Sequence, residues 1–326
     1  MTTFEDAERT LDQEIEGGAK QFVRNLANNV RHPPQFIQRM LKNPVSLTGI
    51  VLVLMFVVIA ILAPVLAPPV RPEEPYRIPR DGYLAEPKPP SAEHPFGTTE
   101  GQFDIYYGVI WGARTAFRVG VLITLATIII GLVVGTTSGY FGGWVDEALM
   151  RVVDIFMGFP FLLAAITLAA VLGSSPKFDR ITTGMIALIV FGWTTYARLL
   201  RGDIQSVKER DYVMAARTLG AGHSRIMMRH VIPNSIFPTL VVASMDIGSY
   251  VLNFAALSFL GLGAEPGYAD WGQLISFARN WMPSLFEYWY ILVYPGIAIL
   301  LFVLGWNLIG DAFRDILDPK LARSRR

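Results

Sequence analysis

Apolar and polar positions along this chain fall into blocks far longer than those of a soluble domain. Val45 to Ala67 carries no charged residue and meets the roughly 20 apolar residues that a bilayer-spanning helix needs. Further apolar runs follow at Val119 to Gly135, Ala148 to Leu172, Thr183 to Leu200, Ile236 to Phe259 and Tyr290 to Ile309. The pattern therefore predicts an all-α integral membrane protein with six transmembrane helices. Gly131, Pro160, Gly184, Gly192, Gly248, Pro295 and Gly296 lie inside these runs, where close packing of neighbouring helices tolerates them. The chain divides into a leader over 1–44, a first span over 45–67, a long loop over 68–115, a five-helix core over 116–310 and a tail over 311–326. In the leader, Phe22, Leu26 and Val30 recur at helical spacing, and after Pro33-Pro34 the piece from Gln35 to Lys42 is either an interfacial helix or part of a solvated tail. The long loop is rich in proline and charge, as in Arg71-Pro-Glu-Glu-Pro75, and either folds over the outer mouth of the membrane domain or stays partly disordered.

Basic residues near the span ends set the orientation. They gather in the leader (Lys20, Arg24, Arg31, Arg39, Lys42), in the loop after the fourth span (Arg198, Arg201, Lys208, Arg210, Arg217, Arg225, Arg229) and in the tail (Arg314, Lys320, Arg323, Arg325, Arg326). Six spans with both termini cytosolic place all three sets inside, and place the loops from Pro68 to Arg114 and from Gly261 to Trp289 outside. Composition agrees with a membrane protein: 52% of the 326 residues are hydrophobic and 17% charged, against about 25% charged in soluble domains. The formal net charge of +1 gives no case for nucleic-acid binding. Absence of cysteine removes disulfides, thiolate catalysis and thiolate metal sites. Acidic residues at the N-terminus and the length of the first apolar run argue for a retained span rather than a cleaved signal.

One polar segment, 203–235, stands out between two spans. Tyr212, Ala215, Ala216 and Leu219 share a helical face, and Gly220 is placed to end that helix. Ser224 is placed to cap a second helix through Ile226 to Val231, with Pro233 interrupting it before the next apolar run. Small alanines allow another backbone to approach, and Arg217, Arg225 and Arg229 keep the element at a water interface. From pattern alone this is either a docking element or an ordinary hairpin between spans.

Other chemistry is sparse. There is no G-x-x-x-x-G-K-[ST] loop for nucleotide, and His32, His94, His223 and His230 lack metal-ligand spacing. Asp154 and Asp246 are ionisable residues within spans and hence functional candidates. Asp154 reads as a structural ion pair with Arg151. Asp246, with Ser249 and Asn253 in the same helical neighbourhood, either lines a pathway or hydrogen-bonds between helices. Trp271, Trp281 and Trp289 read as interfacial anchors or as part of a docking loop.

The run Tyr212-Val-Met-Ala-Ala-Arg-Thr-Leu-Gly-Ala-Gly222, followed by Ile226-Met-Met-Arg-His-Val-Ile-Pro-Asn234, resembles the E-A-A loop of ABC-importer permeases, with the ending of the dipeptide/oligopeptide/nickel branch. His94-Pro-Phe-Gly-Thr98 through Asp104 to Gly112-Ala-Arg114, Leu257-Ser-Phe-Leu-Gly-Leu-Gly263, Asp270-Trp-Gly272, Tyr294-Pro-Gly296 and Asn307-Leu-Ile-Gly-Asp311 resemble C-type permeases of dipeptide importers in the same order. The chain departs from that pattern at Met214, Thr99, Phe103, Gly108 and Phe254, where the family commonly has Glu, Asp, Arg, Arg and Glu.

The resemblance implies an ABC type I importer permease fold in a prokaryotic inner membrane. It implies a second homologous permease subunit, two ATPase subunits and an extracytoplasmic substrate-binding protein as partners, with lipid around the spans. ATP and magnesium are expected on the ATPases, and this chain is expected to be no enzyme and to hold no cofactor or metal. The family loop docks into the ATPase, which assigns that contact here to Asp211, Tyr212, Ala215, Ala216, Arg217, Leu219, Gly220, Pro233 and Asn234. Asp246, Ser249 and Asn253 are candidates for the translocation path. Peptides are the expected cargo, with nickel, glutathione or oligosaccharides as alternatives. An ion-coupled secondary transporter using Asp154 and Asp246, or a membrane scaffold, are readings from other classes.

Overall fold

A computed structural model describes residues 40–41, 43–174 and 178–317. The expected leader helix at Gln35 to Lys42 and the end of the tail lie essentially outside the described residues. The described chain is helical: α1 (Pro44–Leu66), α2 (Ile105–Phe141), α3 (Gly143–Met157), α4 (Phe161–Gly173), α5 (Arg180–Lys208), α6 (Asp211–Thr218), α7 (His223–Ile226), a π turn (Met227–Val231), α8 (Ile232–Phe259), α9 (Trp271–Phe277), a 3-10 turn (Ala278–Ser284) and α10 (Tyr290–Leu317).

Helix starts follow from short polar side chains. Asn43 accepts from Val45 N with Pro44 in the first turn, Asp104 accepts from Tyr107 N, Asp179 from Thr182 N and Asp270 from Gln273 N, each covering an amide the helix cannot satisfy. α2 stops at Gly142 and α3 begins at Gly143, both at positive φ (68° and 55°), a conformation glycine adopts without the Cβ clash.

Among the described residues, five helices are long and apolar enough to cross a membrane. The expected third span, Ala148 to Leu172, is instead two helices, α3 and α4, bent by 82°. α3 closes with Gly158 N donating to Asp154 O, and Pro160, at the head of α4, supplies no amide hydrogen to carry the ladder through. Other boundaries shift outward. The loop expected over 68–115 ends at Asp104, α5 and α8 reach into 203–235 up to Lys208 and back to Ile232, and α10 enters the expected tail to Leu317.

Contacts fix the topology. Gly49 of α1 lies against Leu308 and Ile309 and Gly305 against Val53, so α1 and α10 are antiparallel. Gly131, Gly135 and Gly139 of α2 lie against Tyr196, Ala197 and Arg201 of α5 in rising order, so these two helices run parallel. A Cβ at these three glycines would sit 2.4, 2.6 and 2.9 Å from the nearest α5 atoms; the stripe of small residues is what lets the backbones meet. Parallel α2 and α5 require the bent pair α3–α4 to cross once between them, which gives six crossings. α1 contains Pro64, which leaves the Ala60 carbonyl without its helical donor. Arg114 of α2 fills that place, with Nε donating to Ala60 O at 2.6 Å.

The two ends of the molecule differ. At one, the stretch after α1 pairs with the loop before α9: Ile78 N donates to Gly267 O and Ala269 N to Tyr76 O, both at 2.8 Å. At the other, the end of α2 meets the start of α7 through Tyr140 Oη and His223 Nδ1 at 2.9 Å. The second end is the one that the basic residues assign to the cytosol.

Candidate functional site

At the cytosolic end, α6 is built on one buried anchor. Val213 packs with Tyr140, Leu200, Ile204, Ile226 and Val231, and Ala216 touches the same cluster from a half-buried position. Asp211 in the first turn favours the helix dipole. Gly220 stands at φ 78°, Ala221 N donates to Ala216 O and Gly220 N to Arg217 O: the two bonds and left-handed glycine of a Schellman ending, as expected for Gly220. Tyr212, Ala215 and Leu219 remain exposed, Leu219 at 87%, beside Met214 at 55% and Met228 at 65%. Arg217, Arg225 and Arg229 surround them at the surface.

The second half of this element differs from expectation. α7 begins at His223 with Gly222 in the capping place; Ser224 is already helical and caps nothing. Pro233 does not interrupt the helix. The chain widens into a π turn, Ile232 N bonding back to Met227 O, and α8 continues directly with Pro233 in its first turn. A π turn makes room for the ring and the missing amide. Asn234 Nδ2 donates to His230 O at 2.6 Å, and α7, the π turn and α8 run on as one helical stretch, His223–Phe259.

A second site lies where the α3–α4 break meets α5 and α8. A cavity of about 420 Å³ is lined by Phe156, Met157, Phe159 and Phe161 from the break, by Phe191, Gly192, Thr194 and Thr195 from α5, and by Val242, Asp246, Ser249, Tyr250 and Asn253 from α8. The three expected path residues, Asp246, Ser249 and Asn253, thus share one space. Tyr196 Oη donates to Asp246 Oδ2 at 2.6 Å, so Asp246 both lines the cavity and bonds across helices. Pattern reading missed Tyr196, Tyr250 and the phenylalanines; Gly158-Phe-Pro160 inside an apolar run was the available signal of a break.

Asp154 does not pair with Arg151. Its carboxylate accepts from Arg198 Nη2 at 2.6 Å, while Arg151 lies 3.8 Å from Glu147, one turn back on its own helix. Nearer the cytosolic end, Asp146 receives both Arg201 Nε and Nη2, at 2.5 and 2.6 Å, together with the Ser138 hydroxyl. Two ion pairs therefore hold α3 against α5.

At the outer end, the departures from the family pattern are packing positions. Phe103 is buried, with the Arg80 guanidinium 4.0 Å above its ring. A Cβ at Gly108 would lie 2.9 Å from Ile78 and Leu274. Phe254 is buried against Gly184. Trp271 is no surface anchor: it is buried against Phe56 and Phe302, and its Nε1 donates to Val109 O at 3.0 Å. Trp289 is exposed, in keeping with an interfacial position. Burial pushes the Asp270 carboxyl up to about 6, whereas the Lys88 ammonium beside Asp81 holds that carboxyl below its usual range.

Several known proteins are similar to this chain. The family described as "Binding-protein-dependent transport system inner membrane component" matches residues 110–323, and that described as "N-terminal TM domain of oligopeptide transport permease C" matches residues 35–87. The dipeptide transport system permease protein DppC of Alkalihalophilus pseudofirmus is 36% identical over 286 residues, 86% of this chain and 87% of its own. A probable D,D-dipeptide transport system permease protein, DdpC of Escherichia coli, is 37% identical over 85% of this chain and 88% of its own. The glutathione transport system permease protein GsiD of Pectobacterium atrosepticum is 36% identical, with 71% and 74% covered. Among solved structures, a chain of the MetNI methionine ABC transporter in an inward facing conformation superposes with a TM-score of 0.51 at 16% identity, covering 65% of this chain and 97% of that one, a likeness of fold.

Proposed function

This chain belongs to the family of binding-protein-dependent transport system inner membrane components, and from that premise we propose that its α6–α7 element is the surface on which an ATPase subunit docks and that the Asp246 cavity is part of the cargo path. The chain is a multi-pass, non-catalytic permease subunit of an ABC importer of the dipeptide/oligopeptide family, a class that works with ATPase and binding-protein partners. A second permease of like fold and two ATPases carrying ATP and magnesium complete the proposed assembly. Peptides are its proposed cargo.

The observation that carries the docking reading is the division of labour within α6. Val213, with half-buried Ala216 beside it, ties the helix to the core, while Tyr212, Ala215 and Leu219 are left facing water. Apolar side chains on a short helix ringed by arginines fit a groove in another protein. Closure of the ATPases would then move α6 and, through the π turn, the whole of α8, whose middle lines the cavity.

Leu219→Glu tests this without touching the buried anchor. We expect the variant to insert and melt as the native chain does, to lose ATPase subunits on purification and to lose peptide uptake. Co-purification and uptake at native levels would sink the docking assignment. Ala216→Glu is a poorer probe, because Ala216 is half-buried and the change would disturb α6 itself.

A further inference from the structure

The cavity at the α3–α4 break has a hydrogen-bonding character that can be read group by group. Asn253 Nδ2 donates to Ser249 O at 2.8 Å, Ser249 Oγ to Met245 O at 3.4 Å and Thr194 Oγ1 to Phe191 O at 3.0 Å. The Tyr196 hydroxyl hydrogen goes to Asp246. Each of these side chains has directed a hydrogen inward, to backbone or to the aspartate. What remains for the cavity is chiefly lone pairs, on the second oxygen of Asp246, the side-chain carbonyl of Asn253 and the hydroxyl oxygens of Ser249 and Thr194, beside three neutral donor groups, the second Nδ2 hydrogen of Asn253 and the hydroxyls of Thr195 and Tyr250.

Among the described residues, no lysine, arginine or histidine lines the space. The hydrogen bond to Asp246 comes from Tyr196, and none of the described residues pairs a cation with the carboxylate. A carboxylate within a membrane span is costly unless an opposite charge meets it there. Phe156, Phe161, Phe191 and Tyr250 complete the walls, and aromatic rings attract cations to their faces. The donors on this lining are all neutral and its one charged group is Asp246, so an anion would meet like charge there.

We propose that the cavity binds a primary ammonium group carried by the cargo, with Asp246 as its counter-charge and Asn253 and Ser249 as further acceptors. The free N-terminus of a peptide belongs to that chemical class. The inference rests on the cavity being part of the path and names the portion of the cargo held there.

Absence of cysteine from the chain gives a direct test. Ser249→Cys, or Thr195→Cys at the exposed edge of the same cavity, introduces a single thiol whose labelling is read on this chain within the assembled transporter in detergent. Two methanethiosulfonates are compared, one ending in ethylammonium and one in ethylsulfonate, each rate divided by that for a free thiol. We expect the cationic reagent to react about tenfold faster, the scale on which a charged, low-dielectric cleft concentrates its counter-ion. Asp246→Asn in the same background brings the ratio near one. Dialanine slows the labelling and N-acetyl-dialanine, lacking the ammonium, does not.

Labelling with no preference for the cation overturns the ammonium assignment and leaves the path reading standing. Equal effects of dialanine and its N-acetyl form, whether slowing or none, overturn it as well. If neither cysteine reacts with either reagent, the cavity is closed to water and the path reading itself fails. Should Ser249→Cys not assemble, Thr195→Cys carries the same comparison.

Discussion

Asp270 is a buried carboxyl that caps a helix, and among the described residues no cation pairs with it. It accepts from Gln273 N at 2.9 Å, which favours the charged form, but burial dominates and raises the folded value to about 6. An unfolded aspartate titrates near 3.9. Between those values the folded chain binds the proton more readily than the unfolded one. Its contribution is therefore full below about pH 4, falls as pH rises through about 6 and is flat above, a loss of roughly 3 kcal/mol. Asp270→Asn keeps an oxygen for the Gln273 amide and removes the charge. We expect thermal melts in detergent to show a flatter pH dependence between about 4 and 6 and an equal or higher Tm at neutral pH. Asp270→Ala, which loses the cap too, falls by about 1 kcal/mol relative to Asp270→Asn. An unchanged pH slope in Asp270→Asn would show that the burial of this carboxyl does not set the slope.

At the scale of elements, hydropathy located the spans because a bilayer sets the length of an apolar run, and Val45 to Ala67 lies within a residue of α1 at each end. It underestimated α2, which starts at Ile105 instead of Val119, because a helix continues through Tyr106, Tyr107 and Arg114 after the lipid-facing requirement ends. It missed the α3–α4 break because Gly158-Phe-Pro160 interrupts the hydrogen-bond ladder without interrupting the apolar run. Asp246 was legible as a charge in a span; Tyr196, its partner from another helix, was not, since fifty residues of chain separate them and only packing brings them together. Gly131 was legible as a tolerated glycine, but the stripe it forms with Gly135 and Gly139 was not legible as a contact, because the partner face on α5 carries no matching signature. Gly135→Ala measures that contact. Its Cβ would meet Ala197 O at 2.6 Å, and we expect a loss of about 1–3 kcal/mol in melting experiments. Gly202→Ala, on α5 with open space around it, should be neutral or gain up to about 1 kcal/mol from helix propensity. Equal Tm values for Gly135→Ala and the native chain would show that α2 and α5 do not meet backbone to backbone.

Across the whole molecule, the α6–α7 element and the cavity are joined by two routes. One is the rod from α7 through the π turn into α8, which carries Asp246, Ser249 and Asn253. The other runs from α6 to α5 and across the Asp146–Arg201 and Asp154–Arg198 pairs to α3, whose far end is the break that supplies Phe156 and Phe159 to the cavity wall. If both routes must move together for the cavity to change shape, loosening the second should uncouple the machine without detaching its ATPases. Asp146→Arg sets two guanidiniums face to face where a half-buried bidentate pair had been, a loss of about 3 kcal/mol at that joint. We expect ATPase subunits to stay bound, since α6 is untouched, and ATP hydrolysis to persist while peptide uptake per ATP falls several-fold. The swap Asp146→Arg with Arg201→Asp restores the opposite charges and should recover much of the ratio. An Asp146→Arg transporter with native uptake per ATP would mean that the α8 rod alone carries the motion and that the α3 strap only holds the fold.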